Sequence, residues 1–381
     1  MLIAIQPATR PCPKVLSKEL EKTMSPEFEL LLCCARTAVG AETAERIKQL
    51  VQQDIDWQSL IQQATYHKVL PLLYTNLKAI CPEAGPAAAF KDLHHAFQRV
   101  AQRNMLLAGE LVRVLSSLGQ HQIVAVPYKG PVLAYSLYAN LALRPSSDLD
   151  IIVQQQDILK AKELLIALGY HPKLEMTSAQ EIAYLDSKTE HTYDFFHPEK
   201  RTTIELHWRI EPKYSTVIEL KHFWHKLEPA TFANTTIVNL PLEDWLPILC
   251  VHASRHIWER LIWLCDVAEL LRVCLGIDWQ SVMQQAKQRG YKRILLMGLA
   301  LAHTLLDANL PPEITQQIAA DRQIGLLTTK ICSHLAQGID ADQEFLGSTL
   351  YHTQIRERFQ DKVLYFQSFL YWFTKFHKST H

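Results

Sequence analysis

The sequence predicts an α+β protein with a helical N-terminal segment, a small mixed sheet and a helical C-terminal domain. Three observations carry that reading. Apolar residues recur at helical spacing from Ser25 to Leu118 and again from Leu242 to His377. Short apolar or alternating runs that fit strands fall between Gln122 and Leu240. Only 12 Gly among 381 residues leaves room for few tight hairpins. The length is enough for two or three domains. The divisions expected are a flexible tail over 1–24, a helical region over 25–120, an α/β core over 121–240 and a helical domain over 241–381.

The N-terminal elements follow from local chemistry. Ser25-Pro26-Glu27 supplies an N-cap, a proline in the first turn and an early acid. Further helices are expected over Ala41 to Gln53, Asp56 to Tyr66, Leu70 to Ile80 and Ala87 to Leu118. In the middle of the chain, the apolar run Ile123 to Tyr128 ends at Lys129-Gly130, and a helical pattern runs from Pro131 to Tyr138. Polar residues from Arg144 to Ser147 lead into Asp148-Leu149-Asp150 and the apolar Ile151-Ile152-Val153. The order is strand, Gly turn, helix, loop, strand. A helix from Asp157 to Leu168, stopped by Gly169, precedes a strand near Tyr170 to Met176 and a helix or loop over Thr177 to Glu190. His191 to His197 and Arg201 to Trp208 are expected to pair antiparallel around Pro198-Glu199-Lys200, with one more strand over Thr235 to Leu240. In the C-terminal part, one helix carries His252, Arg255 and His256, and another spans Ile257 to Val273 with Asp266 inside. The last, Asp361 to His377, is rich in Tyr, Phe and Trp.

The candidate chemistry lies in the central segment. Strand alternation puts Asp148 and Asp150 on one face. Two adjacent carboxylates repel each other, and a hard divalent ion such as Mg2+ or Mn2+ removes that cost. Alternation in Ile204-Glu205-Leu206-His207-Trp208 likewise puts Glu205 and His207 together. His252 and His256 are four residues apart on a helix, but neither a third ligand nor an H-E-x-x-H pattern accompanies them. With Arg255 and Asp266 they form either a polar seam between helices or the lining of a cleft opposite the aspartates.

The arrangement Lys129-Gly130, helix, Arg144, Ser147-Asp148-Leu149-Asp150-Ile151 resembles the nucleotidyltransferase superfamily that includes DNA polymerase beta. Within it, the fuller pattern is similar to a bacterial family of uncharacterised nucleotidyltransferases. The resemblance implies a polymerase-beta-like core over 121–240. It implies Asp148, Asp150 and Glu205 as catalytic carboxylates and metal ligands, with Glu205 the third acid on a later strand. It also implies an NTP substrate, ATP among the candidates and the base left open, bound through Lys129, Gly130, Arg144, Ser146 and Ser147. His207, His252, Arg255 and His256 would line the cleft. The superfamily usually carries Ser after this Gly, and here stands Pro131, which removes an N–H donor and a hydroxyl. That places phosphate gripping on Lys129, Arg144 and Ser146 or Ser147. It also motivates an alternative, a catalytically inactive relative that binds nucleotide or protein.

Composition narrows the partners. Lys plus Arg equals Asp plus Glu at 39 each, which disfavours a grip on long nucleic acid and leaves a small molecule or protein as the favoured acceptor. The 8 Cys include no C-x-x-C pair and read as free thiols of a cytoplasmic protein. No apolar run is long enough for a membrane span. The aromatic C-terminal helix is a candidate partner surface, and a helical interaction protein working through it is a third reading.

Overall fold

The computed structural model describes residues 24–212, 218, 220, 223–337 and 345–367. The expected tail over 1–24 therefore lies almost wholly outside the described residues, as does the part of the last helix beyond residue 367. The first helix, α1 (Pro26–Cys34), starts where Ser25 accepts a hydrogen bond from the Phe28 N–H at 3.2 Å. It is followed by α2 (Ala41–Leu50), α3 (Trp57–Tyr66) and α4 (Leu70–Ile80). Asp56 caps α3 by accepting from the Ser59 N–H at 3.0 Å. The long α5 (Ala87–Gln120) then leads to the sheet.

The main sheet has five strands, β1 (Ala125–Pro127), β2 (Leu149–Val153), β3 (His171–Pro172), β4 (Thr192–His197) and β5 (Thr202–His207), in the order β1-β2-β5-β4-β3. The β2–β5 pair is parallel and the other three pairs are antiparallel. Register places Asp150 directly opposite Glu205, and on the far side of β5 sets Asp194 opposite Glu205. Leu149, Ile151, Val153, Tyr193, Phe195, Ile204 and Leu206 point the other way. They pack on the second half of α5 and on α7 (Ile158–Ala167) as a core of their own. Between β1 and β2 the chain forms α6 (Gly130–Tyr138).

The structure sharpens three expectations. The strand over Tyr170 to Met176 contracts to His171–Pro172, with one further backbone bond from the Lys173 N–H to the Asp194 carbonyl at 2.9 Å. The stretch Thr177 to Glu190 contains α8 (Ser178–Asp186), with Thr177 and Gln180 in a reciprocal capping box. The strand expected near Thr235 is β7 (Thr235–Asn239), but its partner is β6 (Glu228–Phe232), absent from the sequence reading, in a separate hairpin. Glu228-Pro229 lacks the apolar alternation by which a strand is recognised.

The C-terminal helices begin with α9 (Leu242–Arg255) and α10 (Leu261–Val273). The helix expected from Ile257 starts four residues later because Ile257 and Trp258 both take left-handed backbone, with φ of 54° and 57°. Further on lie α11 (Trp279–Arg289), α12 (Lys292–Leu306), α13 (Pro312–Ala320), α14 (Arg322–Ala336) and α15 (Phe345–Ile355). Helices from both ends of the chain share one core: Phe28, Leu31, Leu60 and Leu73 join Trp245, Leu264, Leu295 and Leu327 in a single buried cluster. Among the described residues no helix is long and apolar enough to cross a membrane.

Candidate active site

The two sequence-predicted strands deliver their polar faces to one cleft of about 400 Å³. Its floor is the sheet face bearing Asp150, Glu205 and His207, with Asp148 at the entry to β2 and Asp194 on β4. One wall is the N-terminus of α6 with the loop from Arg144 to Ser147; the opposite wall is the end of α9 and the start of α10, with His252, Arg255, His256 and Trp263. A third contribution is Lys68, from the corner between α3 and α4.

Gly130 is required at its position for two reasons. Its φ is +58°, a region that side-chain-bearing residues enter at a cost, and a Cβ there would lie 3.2 Å from the Asp148 carbonyl oxygen. The close approach of this turn to the aspartate strand is thus written into the glycine. The preceding Lys129 donates from Nζ to Asp150 Oδ1 at 2.9 Å and lies 4.7 Å from the Tyr128 ring centre.

The buried Asp150 is compensated twice. His207, itself buried, places Nε2 3.2 Å from Asp150 Oδ1 and 3.4 Å from Glu205 Oε2. Burial works against the Asp150 charge, and Lys129 with His207 outweighs it, holding the carboxyl far below the usual range. His207 runs the opposite way: burial disfavours its proton, but the two carboxylates raise its pKa above the ordinary histidine value. The His207 hydrogen bond likewise lowers Glu205, against burial and the neighbouring Asp150. Asp148 is raised, first by burial and then by repulsion from Asp150 and Glu205. Three carboxylates thus crowd one end of the cleft, and the repulsion among them is felt at Asp148.

This donor set fits a divalent ion. Asp150, Glu205 and His207 each offer a ligand atom, all within 4.8 Å of one another. Carboxylate oxygens suit Mg2+ or Mn2+, and an imidazole among them shifts the preference toward softer ions of the transition series. The cluster differs from the expected one in a single member: His207 joins Asp150 and Glu205, while Asp148 lines the same cleft just before β2.

The residues expected to bind the nucleotide divide. Arg144 lines the cleft, yet its Nε and Nη2 donate to Asp266 Oδ1 and Oδ2 at 2.7 and 2.8 Å, and Tyr138 donates to the same carboxylate at 2.8 Å. Ser146 Oγ is buried at the cleft without a hydrogen-bond partner among the described residues. Ser147 hydrogen-bonds to Asp148, which favours the charged carboxylate. The loop carrying them is clamped by Asn104 of α5, whose amide donates to the Leu141 and Arg144 carbonyls and accepts from the Ser146 N–H at 3.1 Å. Nothing in the sequence around Asn104 marks that role.

On the opposite wall, Arg255 donates to Glu211 at 3.0 Å and to His191 Nε2 at 3.0 Å. Burial, then His207 and Arg255, push the His191 pKa down to about 2, so it stands neutral. His252 and His256 pack edge-to-face, 5.0 Å between centres, and His256 stacks on Trp263 at 5.2 Å. Both are lowered by burial. Among the described residues they form no metal-ligand group of three. His252, Arg255 and His256 lie on the cleft, whereas Asp266 is buried with Arg144 and Tyr138 and does not join them. Glu211, His191 and Lys68 were not anticipated. Glu211 and His191 flank β5 and β4 outside any motif, and Lys68 comes from another part of the chain.

No curated protein and no solved structure matches the chain. A family model described as an uncharacterised nucleotidyltransferase matches residues 53–307, more than half of the chain. The match begins between α2 and α3 and ends just after α12, so it takes in the strand–turn–helix segment, every residue named above on the cleft, and the corner bearing Lys68. The chain belongs to this family of uncharacterised nucleotidyltransferases.

Proposed function

We propose that this protein transfers a nucleoside monophosphate from an NTP to an acceptor hydroxyl and releases pyrophosphate. The observation that carries the reading is the convergence of the Gly130 turn, Asp148, Asp150 and Glu205 on one cleft with a surplus of negative charge. Asp150, Glu205 and His207, with Asp148 beside them, would hold Mg2+ or Mn2+. When bound, such an ion neutralises phosphate charge and favours in-line displacement.

The remaining roles belong to the protein. The backbone at the start of α6 faces the polyphosphate, where free N–H groups of a helix end favour anions, although Pro131 contributes none. Ser146 Oγ, now without a partner, accepts the task of donating to a phosphate oxygen. Lys129 screens the phosphates while holding Asp150. Glu205, at 31% side-chain exposure, is the carboxylate of the cluster that an acceptor can reach, and takes the hydroxyl proton as the acceptor oxygen bonds to the α-phosphorus. The bond from that phosphorus to the bridging oxygen breaks, and pyrophosphate leaves with its electron pair. Zero net charge favours a small molecule or a protein as acceptor over long nucleic acid.

The test is incubation of the wild type and the Asp150→Asn variant with each of the four labelled NTPs, Mg2+ or Mn2+ and cell extract. Labelled acceptor and pyrophosphate are expected from the wild type, and a fall of roughly a hundredfold or more in the variant. NTP binding without any turnover by the wild type would instead favour a binding relative, a reading supported by Pro131 and by the engagement of Arg144 with Asp266.

A further inference from the structure

Four cationic side chains line the cleft: Lys68, Lys129, Arg144 and Arg255. Three are committed to carboxylates. Lys129 lies 2.9 Å from Asp150, Arg144 2.7 Å from Asp266 and Arg255 3.0 Å from Glu211. Among the described residues, Lys68 alone of the four has no ion pair or side-chain hydrogen bond.

Its placement is built by contacts from the far end of the chain. The corner between α3 and α4 is locked against the turn that opens α10: the Ile262 N–H donates to the His67 carbonyl at 3.2 Å and the Leu261 N–H to His67 Nδ1 at 3.4 Å. The Arg260 guanidinium donates to the Tyr66 carbonyl and lies over the Tyr66 ring at 4.5 Å. Lys68 itself has a φ of +57°, a conformation that glycine reaches freely. A glycine would make this corner with less strain, yet the chain sets there a lysine that lines the cleft. Other non-glycine residues of the chain, Ala139 among them, also adopt positive φ, so it is the position of the Lys68 side chain on the cleft that singles this corner out.

A polyphosphate entering this cleft meets Asp148, Asp150, Asp194, Glu205 and Glu211. Lys129, Arg144 and Arg255 each share their charge with a carboxylate, which leaves less of it for a phosphate than Lys68 can give. Lys68 is half-buried, and burial pulls its pKa below the ordinary lysine value while Asp148 is the charge that opposes this; a phosphate oxygen beside it would restore the ammonium and meet it with part of its hydration already lost. We propose that Lys68 is a phosphate-binding residue of the nucleotide site, and that the N-terminal helices thereby complete the active site. The inference rests on the nucleotidyl-transfer reading above.

Calorimetric titration of the full-length wild type, Lys68→Gly and Lys68→Arg with ATP, GTP, CTP and UTP in Mg2+ tests it. Lys68→Gly removes the ammonium and relieves the corner, so its Tm should equal or exceed that of the wild type. Its affinity for the NTP the wild type prefers should fall by roughly tenfold or more, with affinity for the matching nucleoside unchanged, and Lys68→Arg should restore most of the loss. Equal NTP affinity in wild type and Lys68→Gly would overturn the proposal while leaving nucleotidyl transfer standing. A parallel loss of nucleoside affinity would also overturn it, because the lysine would then not be acting on phosphate. A wild type that binds none of the four NTPs would overturn the nucleotidyl-transfer reading and this proposal with it.

Discussion

Arg144 stands one short loop ahead of the aspartates, where a phosphate contact is expected, and two of its guanidinium nitrogens are bonded to Asp266. Both members are almost fully buried, at 9% and 1% side-chain exposure. Removing Arg144 leaves the buried Asp266 charge with the Tyr138 hydroxyl but no cation, and removing Asp266 strands the buried guanidinium. Arg144→Met should therefore cost about 3–5 kcal/mol of stability. The double variant Arg144→Met with Asp266→Leu should recover part of that loss, because a well-packed apolar pair tolerates burial better than a lone carboxylate. Urea unfolding of the three variants checks this, and a double variant less stable than either single one would refute the argument. His207 behaves differently. Its ring is held between two carboxylates by bonds that a sequence reader sees only as a shared strand face.

At the scale of elements, the register of β2 on β5 makes the site. Asp150 opposite Glu205 follows from the apolar residues on either side, since a slip of one residue would turn Leu149, Ile151, Ile204 and Leu206 out of their core. The sheet is fastened to α5 by Glu110, which accepts from Arg113 of the same helix, from Lys200 in the β4–β5 turn and from Tyr170 before β3. Burial opposes its charge, but these three donors outweigh burial and hold its pKa down to about 2, against 4.5 when unperturbed. A folded-state pKa below the unfolded value means that the stabilisation is complete above pH 4.5 and disappears as the pH falls toward 2. Glu110→Gln should accordingly be less stable than the wild type at pH 7, with the difference shrinking below pH 4.5. Chemical denaturation across that range measures it, and a gap that stays constant with pH would exclude this role for the carboxylate.

Across the whole molecule, the two helical ends are one packing unit. Thr37 donates to Glu269 through both its N–H and its hydroxyl, at 2.8 and 2.7 Å, and the His67 corner is bonded to the start of α10. Deleting residues 1–80 would strip α9, α10 and α12 of the apolar partners that α1 to α4 supply. Such a deletion should yield no soluble, cooperatively unfolding protein, as judged by expression yield and circular dichroism. A stable truncated product would show that the C-terminal helices hold a core without them.

The sequence by itself determined the local order of the site: a strand, a Gly turn, a helix, and two carboxylates alternating into an apolar strand. These features depend on neighbours a few residues apart, where side-chain period and backbone sterics act directly. It also placed Glu205 and His207 on one face and most helix bounds within a few residues. Only the tertiary structure decided which charges meet. The Arg144–Asp266 pair spans 122 residues, the contact of Arg255 with Glu211 spans 44, and the hold of Arg260 on Tyr66 spans 194. Pairings at such separations are set by how helices pack on the sheet, and no periodicity within either segment encodes them. Tertiary packing therefore left Lys68 as the cleft cation without a carboxylate partner among the described residues, and brought it beside the aspartates from the other side of the fold.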